Sequence, residues 1–179
     1  MPLEIDVEYD KFINKLAETS DTRTITNGSS SHALSILRSV FKHSKNYVKI
    51  FTGRLCETVY NDDTLLIEAA NFISKGGKLE ILIQEGGIAA IAGHKFLESI
   101  KKNCNDTKDI NSRLIIKGLD DSHVLSKADV HFLVADDKIY RVEDDITNKT
   151  AVGCFNDPER SMKLNAIFES AFSINTLAI

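Results

Sequence analysis

Three apolar runs, "NYVKIFTG" (46–53), "KLEILIQEG" (78–86) and "SRLIIKGL" (112–119), are separated by stretches whose apolar residues recur at helical spacing. Each run has the length of a strand and ends at or beside a glycine. Between the first two, a helix starts at Asp62 or Asp63, presents Leu66, Ala69, Ala70 and Ile73 on one side, and closes on Gly76–Gly77. Between the second and third, a helix runs from about Ile91 to Lys102 and carries the "GHK" of 93–95. Strand, helix, strand, helix, strand in this order calls for crossover connections and a largely parallel sheet.

The flanking segments extend that frame. "EYDKFINKLAE" puts Phe12, Ile13 and Leu16 on one helical stripe, and a short strand at 23–26 leads into a polar loop. "SHALSILRSVFKHSK" reads as a core helix whose Lys42, His43 and Lys45 suit the negative end of its dipole. After the third run, 130–135 and 138–143 form a hairpin turning at Asp136–Asp137, with Phe132 and Val134 buried opposite His131. "KTAVGCF" is a further strand. A last helix follows, with Asp157 as its cap, Pro158 in its first turn and a stripe of Leu164, Ile167, Phe168, Ala171 and Phe172. The class is α/β, a mixed sheet flanked by helices. At 179 residues one folded domain is expected, divided here into an N-terminal helix and extension (1–28) and the main domain (29–179).

Composition narrows the function. With 42% hydrophobic and 27% charged residues the chain reads as soluble and globular. No apolar run approaches the roughly 18 residues of a membrane span, and the acidic start "MPLEIDVEYD" lacks the basic opening of a signal peptide, so a cytoplasmic protein with no membrane partner is expected. A net charge of −4 argues against a protein built mainly to grip phosphate backbones, and leaves room for a local basic groove. Cys56, Cys104 and Cys154 are too scattered for a zinc ribbon and read as small core residues. No serine elbow, phosphate loop or HExxH pattern is present, and no cofactor or metal is expected.

The chemistry-bearing stretch is "ADVHFLVADDKIYRVEDD" (128–145). The "TG" ending the first strand, the helix ending in "KGGKLEILI" and the hairpin "HFLVADDKIYRVE" together resemble one half of a phospholipase D-like (HKD) domain over about residues 29–173. The resemblance implies a strand carrying His-x-Lys with an Asp five residues after the Lys, the His attacking phosphorus and the Lys neutralising phosphate charge. Kept in register with "FLVADD", this chain has Asp129 at the His position, His131 at the Lys position and Asp136 at the Asp position. Shifting His131 to the nucleophile position fails at both partners, Leu133 and Lys138. The chain's own His-x-Lys, His43-Ser44-Lys45, sits at a helix end with no Asp seven residues after the His.

A phosphodiester transition state needs cations aimed at its equatorial oxygens. A carboxylate and an imidazole do not supply them. The expectation is therefore a catalytically degenerate domain acting as a binding or assembly module. By the resemblance it is a homodimer with the 128–145 hairpin near the two-fold axis, and it contacts nucleic acid or a partner protein, as in bacterial restriction and defence systems. Asp129 is expected on the same strand face as His131, orienting it, with a metal between them and Asp136 or Glu143 a lesser alternative. Arg141 and Glu143 on the partner strand read as a surface ion pair. Two rival readings stay open. A variant phosphodiesterase or nuclease would use His131 with Asp129 or Asp136 and take cations from Arg54 or Lys127. A small-molecule sensor would hold its ligand over the strand ends near Gly53 and Gly86.

Overall fold

A computed structural model describes residues 3–104, 109–148 and 150–174. Along the chain it runs α1 (Val7–Glu18), β1 (Ile25–Asn27), α2 (Ser30–His43), β2 (Tyr47–Thr52), α3 (Glu57–Tyr60), α4 (Asp63–Ser74), β3 (Lys78–Ile83), α5 (Lys95–Asn103), α6 (Ile110–Arg113), β4 (Leu114–Gly118), β5 (His131–Ala135), β6 (Ile139–Asp145), β7 (Thr150–Cys154) and α7 (Pro158–Ile174). Two 3-10 turns, Gly87–Ile91 and Val124–Lys127, sit in the loops before α5 and β5. The strands form a single mixed sheet in the order β1-β7-β6-β5-β2-β3-β4. β2, β3 and β4 are parallel and every other pairing is antiparallel, as the alternation of strands and helices required.

The helices begin and end where their capping chemistry directs. Ser29 accepts the His32 N–H at the start of α2, and Asp62 accepts the N–H groups of Thr64 and Leu65 at the start of α4. Gly76, at φ +104°, takes the chain out of α4 in a conformation costly for any residue with a Cβ. Asp157 accepts the Arg160 N–H ahead of Pro158, the first residue of α7. The hairpin turns at Asp136 (φ 49°) and Asp137 (φ 57°), both left-handed at the centre of a β-turn closed by the Lys138 N–H on the Ala135 carbonyl, and pairing resumes one residue later at Ala135–Ile139.

One face of the sheet packs against α1, α2, α4 and α5 in the larger core, where Leu34, Val40, Phe41, Leu65, Ile73 and Phe96 meet Ile50, Ile81 and Leu133. The other face is covered by α7, whose Phe168, Ala171 and Phe172 meet Phe51, Leu82, Phe132 and Val134. Phe132 and Val134 are thus buried opposite His131, as the alternation implied, while the cross-strand register is one residue from that of an even turn, since Ala135 pairs with Ile139 rather than Lys138. Residues 7–27 share the unit, since α1 lies on α2 and β1 pairs with β7.

Several local expectations fail for identifiable reasons. Ile167 is 44% exposed, because the core stripe of α7 runs through Leu164, Phe168, Ala171 and Phe172 and leaves Ile167 to one side. Phe12 is likewise outside the α1 core stripe of Ile13, Leu16 and Ala17, and lies under the Arg23 guanidinium. The "GHK" of 93–95 straddles the start of α5 rather than lying within a helix: Gly93 has φ +75°, His94 is the cap, its Nδ1 accepting the Phe96 N–H while Nε2 lies 2.9 Å from the Leu55 carbonyl, and Lys95 is the first helical residue. Cys104 and Cys154 are buried, whereas Cys56 is exposed. Lys149 of the "KTAVGCF" run lies outside the described residues.

Candidate functional site

His131 is the first residue of β5 and stands directly opposite Glu143 in the β5–β6 ladder. Cross-strand partners share a face, and His131 Nδ1 lies 3.1 Å from Glu143 Oε2. An ionised carboxylate can only accept, so Nδ1 carries the proton. Two residues back on the same face, Arg141 donates through Nη2 to Glu143 Oε1 at 3.3 Å and through Nε to Asn27 Oδ1 at 3.1 Å. Arg141 is only 8% exposed and Glu143 is partly buried, so the pair expected at the surface is largely sheltered, its arginine held by Asn27 of the edge strand β1. Burial alone would raise the Glu143 carboxyl, but the His131 hydrogen bond and the Arg141 charge outweigh it and hold the group below its ordinary range.

The other ring nitrogen is different. His131 Nε2 is buried with no hydrogen-bond partner among the described residues. It packs against Gly53, which follows β2. A Cβ on Gly53 would stand 2.9 Å from that nitrogen and 2.8 Å from Glu85 Oε1, so any larger residue there must displace those two side-chain ends. Glu85 in turn accepts from Arg54 Nε at 3.1 Å on the protein surface.

The network forms one wall of a cavity of about 190 Å³. The first turn of α2 (Ser29, Ser30, Ala33), the end of β2 with Arg54, and Val59 and Tyr60 of α3 close it, together with Leu133, Arg141, Glu143 and Ile146. Most of this surface is apolar, and its charged side chains are Arg54, Arg141 and Glu143. Burial pushes the Tyr60 hydroxyl well above its usual value, which keeps it neutral.

The remaining residues singled out in the sequence are dispersed. Asp129 does not share the strand with His131: β5 begins at His131, and Asp129 is exposed in the preceding loop, with Glu143 in the orienting role given to it. Asp136 lies at the opposite end of β5. Its carboxylate accepts the backbone N–H groups of Lys45 (2.6 Å), Asn46 (2.8 Å) and Tyr47 (3.1 Å), tying the hairpin turn to the entry of β2. Lys127 is exposed at the end of its 3-10 turn and is not on the cavity wall. Among the described residues no group of three or more His, Cys, Asp or Glu could hold a metal ion. Asn27, Tyr60 and the start of α2 were not anticipated. Asn27 alternates with core Ile25, a signal that its side chain points inward, but its partner is 114 residues away.

Neither a protein-family model nor a curated protein matches the sequence. Solved structures do. Nuc from Salmonella typhimurium, a phospholipase D family member, superimposes with a TM-score of 0.55 at 10% identity, over 87% of this chain and 95% of that one. NucT from Helicobacter pylori gives 0.54 at 14% identity, over 86% and 98%. The chain has a phospholipase D-like fold. TrmBL2, an archaeal chromatin protein whose structure shows a novel mode of DNA binding, is also similar, with a TM-score of 0.59 at 14% identity over 94% of this chain and 59% of that one. In this phospholipase D-like fold the cavity lies where β2 ends and β5 begins, beside Gly53. No helix among the described residues is long and apolar enough to cross a membrane.

Proposed function

We propose that this phospholipase D-like domain carries no phosphodiesterase chemistry and binds a small ligand in the cavity beside His131. The observation that carries the reading is the state of the imidazole: Nδ1 is committed to Glu143 and Nε2 is shielded behind Gly53. A nucleophilic nitrogen must reach phosphorus, and neither does. Among the described residues no lysine joins the cluster, and Asp136 is occupied by three backbone groups at the far end of the strand. What remains is a mostly apolar cavity with a few convergent polar groups, the usual form of a small-molecule site.

The test has two arms. Incubation with bis-(p-nitrophenyl) phosphate and with single-stranded DNA in EDTA is expected to give no turnover; hydrolysis abolished by His131→Ala would replace this reading with the variant enzyme. A fragment screen by methyl NMR is expected to yield binders that shift Ala33, Leu37 and Leu133. A second reading, nucleic-acid contact by the same domain, draws on the likeness to the DNA-binding chromatin protein. Anisotropy titration of labelled duplex and single-stranded DNA across a salt series separates the two, since backbone binding weakens steeply with salt. The homodimer around the 128–145 hairpin stays part of the proposal, supported by Val124, which is 83% exposed on the loop entering β5. Sedimentation over a concentration series checks it.

A further inference from the structure

The charges on the cavity wall are unbalanced. Arg54 and Arg141 both line it, and Glu143 is the one carboxylate among the lining residues. Each Glu143 oxygen already accepts one hydrogen bond, Oε1 from Arg141 and Oε2 from His131, so its charge is largely offset by Arg141 rather than open to a cationic guest. Glu85 pairs with Arg54 outside the wall, where both side chains are more than half exposed, and water weakens that pair. The wall also includes the start of α2, a 14-residue helix with no acidic residue in its first turn, and its dipole adds to the positive side. The rest is apolar: Ala33, Leu37, Ile50, Val59, Leu133 and Ile146.

On the reading that this cavity binds a small ligand, we infer that the ligand is an organic monoanion: a carboxylate on a compact apolar body. Charge complementarity selects the anion, because a neutral guest leaves Arg141 facing apolar surface and a cation meets two guanidinium groups. Size sets the body. Cavities of about 150 Å³ accept benzene, so one of about 190 Å³ takes a single ring with one small polar group. The carboxylate sits towards Arg141 and the α2 start, and the ring lies against Leu37 and Leu133. Arg54 closes over the mouth and exchanges part of its contact with Glu85 for the incoming charge.

Benzoate, benzyl alcohol and benzylamine share the ring and differ in charge, and methyl NMR titration of the whole chain with each is the experiment. Benzoate is expected to bind at least about fivefold more tightly than benzyl alcohol, with benzylamine weakest, and the shifts centre on Ala33, Leu37 and Leu133. Arg54→Gln, at a residue 67% exposed by side chain, is expected to lower benzoate affinity about threefold or more and to leave benzyl alcohol unchanged. Benzyl alcohol or benzylamine binding as tightly as benzoate at those methyls would overturn the anion assignment and leave the small-ligand reading standing. No shift at those methyls with any of the three would overturn both.

Discussion

Two buried charge clusters lie on opposite faces of the sheet, and they differ in how completely they are satisfied. On the α7 face, Lys49 of β2 stands beside its ladder partner Glu80, ion-pairs with Glu169 of α7, donates to Asn165 Oδ1 at 2.7 Å and rests on the Tyr47 ring. Glu80 is also held by Lys78 at 2.7 Å. Every charge there has partners, and the cluster fastens α7 to the sheet. On the α2 face, buried Asn27 and Arg141 and partly buried Glu143 and His131 form a chain that stops at an unpartnered ring nitrogen beside a cavity. A saturated cluster is explained by the fold alone. An incomplete one leaves a cost of about 1–3 kcal/mol standing, and the cavity beside it is where function is to be sought.

Substitutions can break or sharpen that contrast. Lys49→Ala should have the largest effect, about 3 kcal/mol of lost stability in urea denaturation, because it strands buried Glu80 with Lys78 alone. Benzoate binding should be unchanged, and a loss below about 1 kcal/mol would mean the α7 cluster is not the structural one. Glu143→Gln comes next, at about 2 kcal/mol near neutral pH, since Arg141 and His131 both lose an ionised acceptor.

This second effect carries a pH signature. The Glu143 carboxyl is lowered from 4.5 in the folded protein, so its stabilisation is fully present above that value and is lost as pH falls through the lower folded-state pKa. The gap between wild type and Glu143→Gln should therefore close on acidification below about pH 4.5 and stay constant above it. The smallest effect is expected from Gly53→Ala, roughly 0.5–1 kcal/mol, because the new methyl meets only movable side-chain ends, Glu85 Oε1 and His131 Nε2. It should still displace the imidazole, seen as a shift of its ring resonances. Unmoved resonances would show that Gly53 does not shield Nε2.

Part of this contrast could be read before any coordinates. The pairing of β5 with β6 was legible, but an even turn at Asp136–Asp137 would set His131 opposite Val142; the three residues 136–138 between Ala135 and Ile139 shift the register by one and make His131 and Glu143 ladder partners. The strands were legible from period-two patterns ending at glycine. Arg141 was misjudged as a surface residue because its cover, Asn27, arrives by way of β1 and β7, and no local pattern reveals that edge. Asp129 was placed on the strand because "ADV" continues the apolar alternation, yet pairing starts two residues later. Asp136 was read at the family's Asp position by resemblance alone; its carboxylate is occupied by the backbone of the α2–β2 loop.

The strand order also has a consequence for synthesis on the ribosome. β2, β3 and β4 are consecutive in sequence and adjacent in the sheet, so this half can assemble while the remainder is still being made. Arg141 is translated long after Asn27, and the edge strand that covers it cannot dock until β7 emerges, since Ile25 pairs with Gly153. Until then the nascent chain holds an unpaired N-terminal strand and, once β5 and β6 have added to β2, an open sheet edge at β6, both templates for wrong pairing. Sealing that edge closes the wall behind Arg141, so a truncation before Thr150 should give a chain with its parallel half formed and no competent cavity.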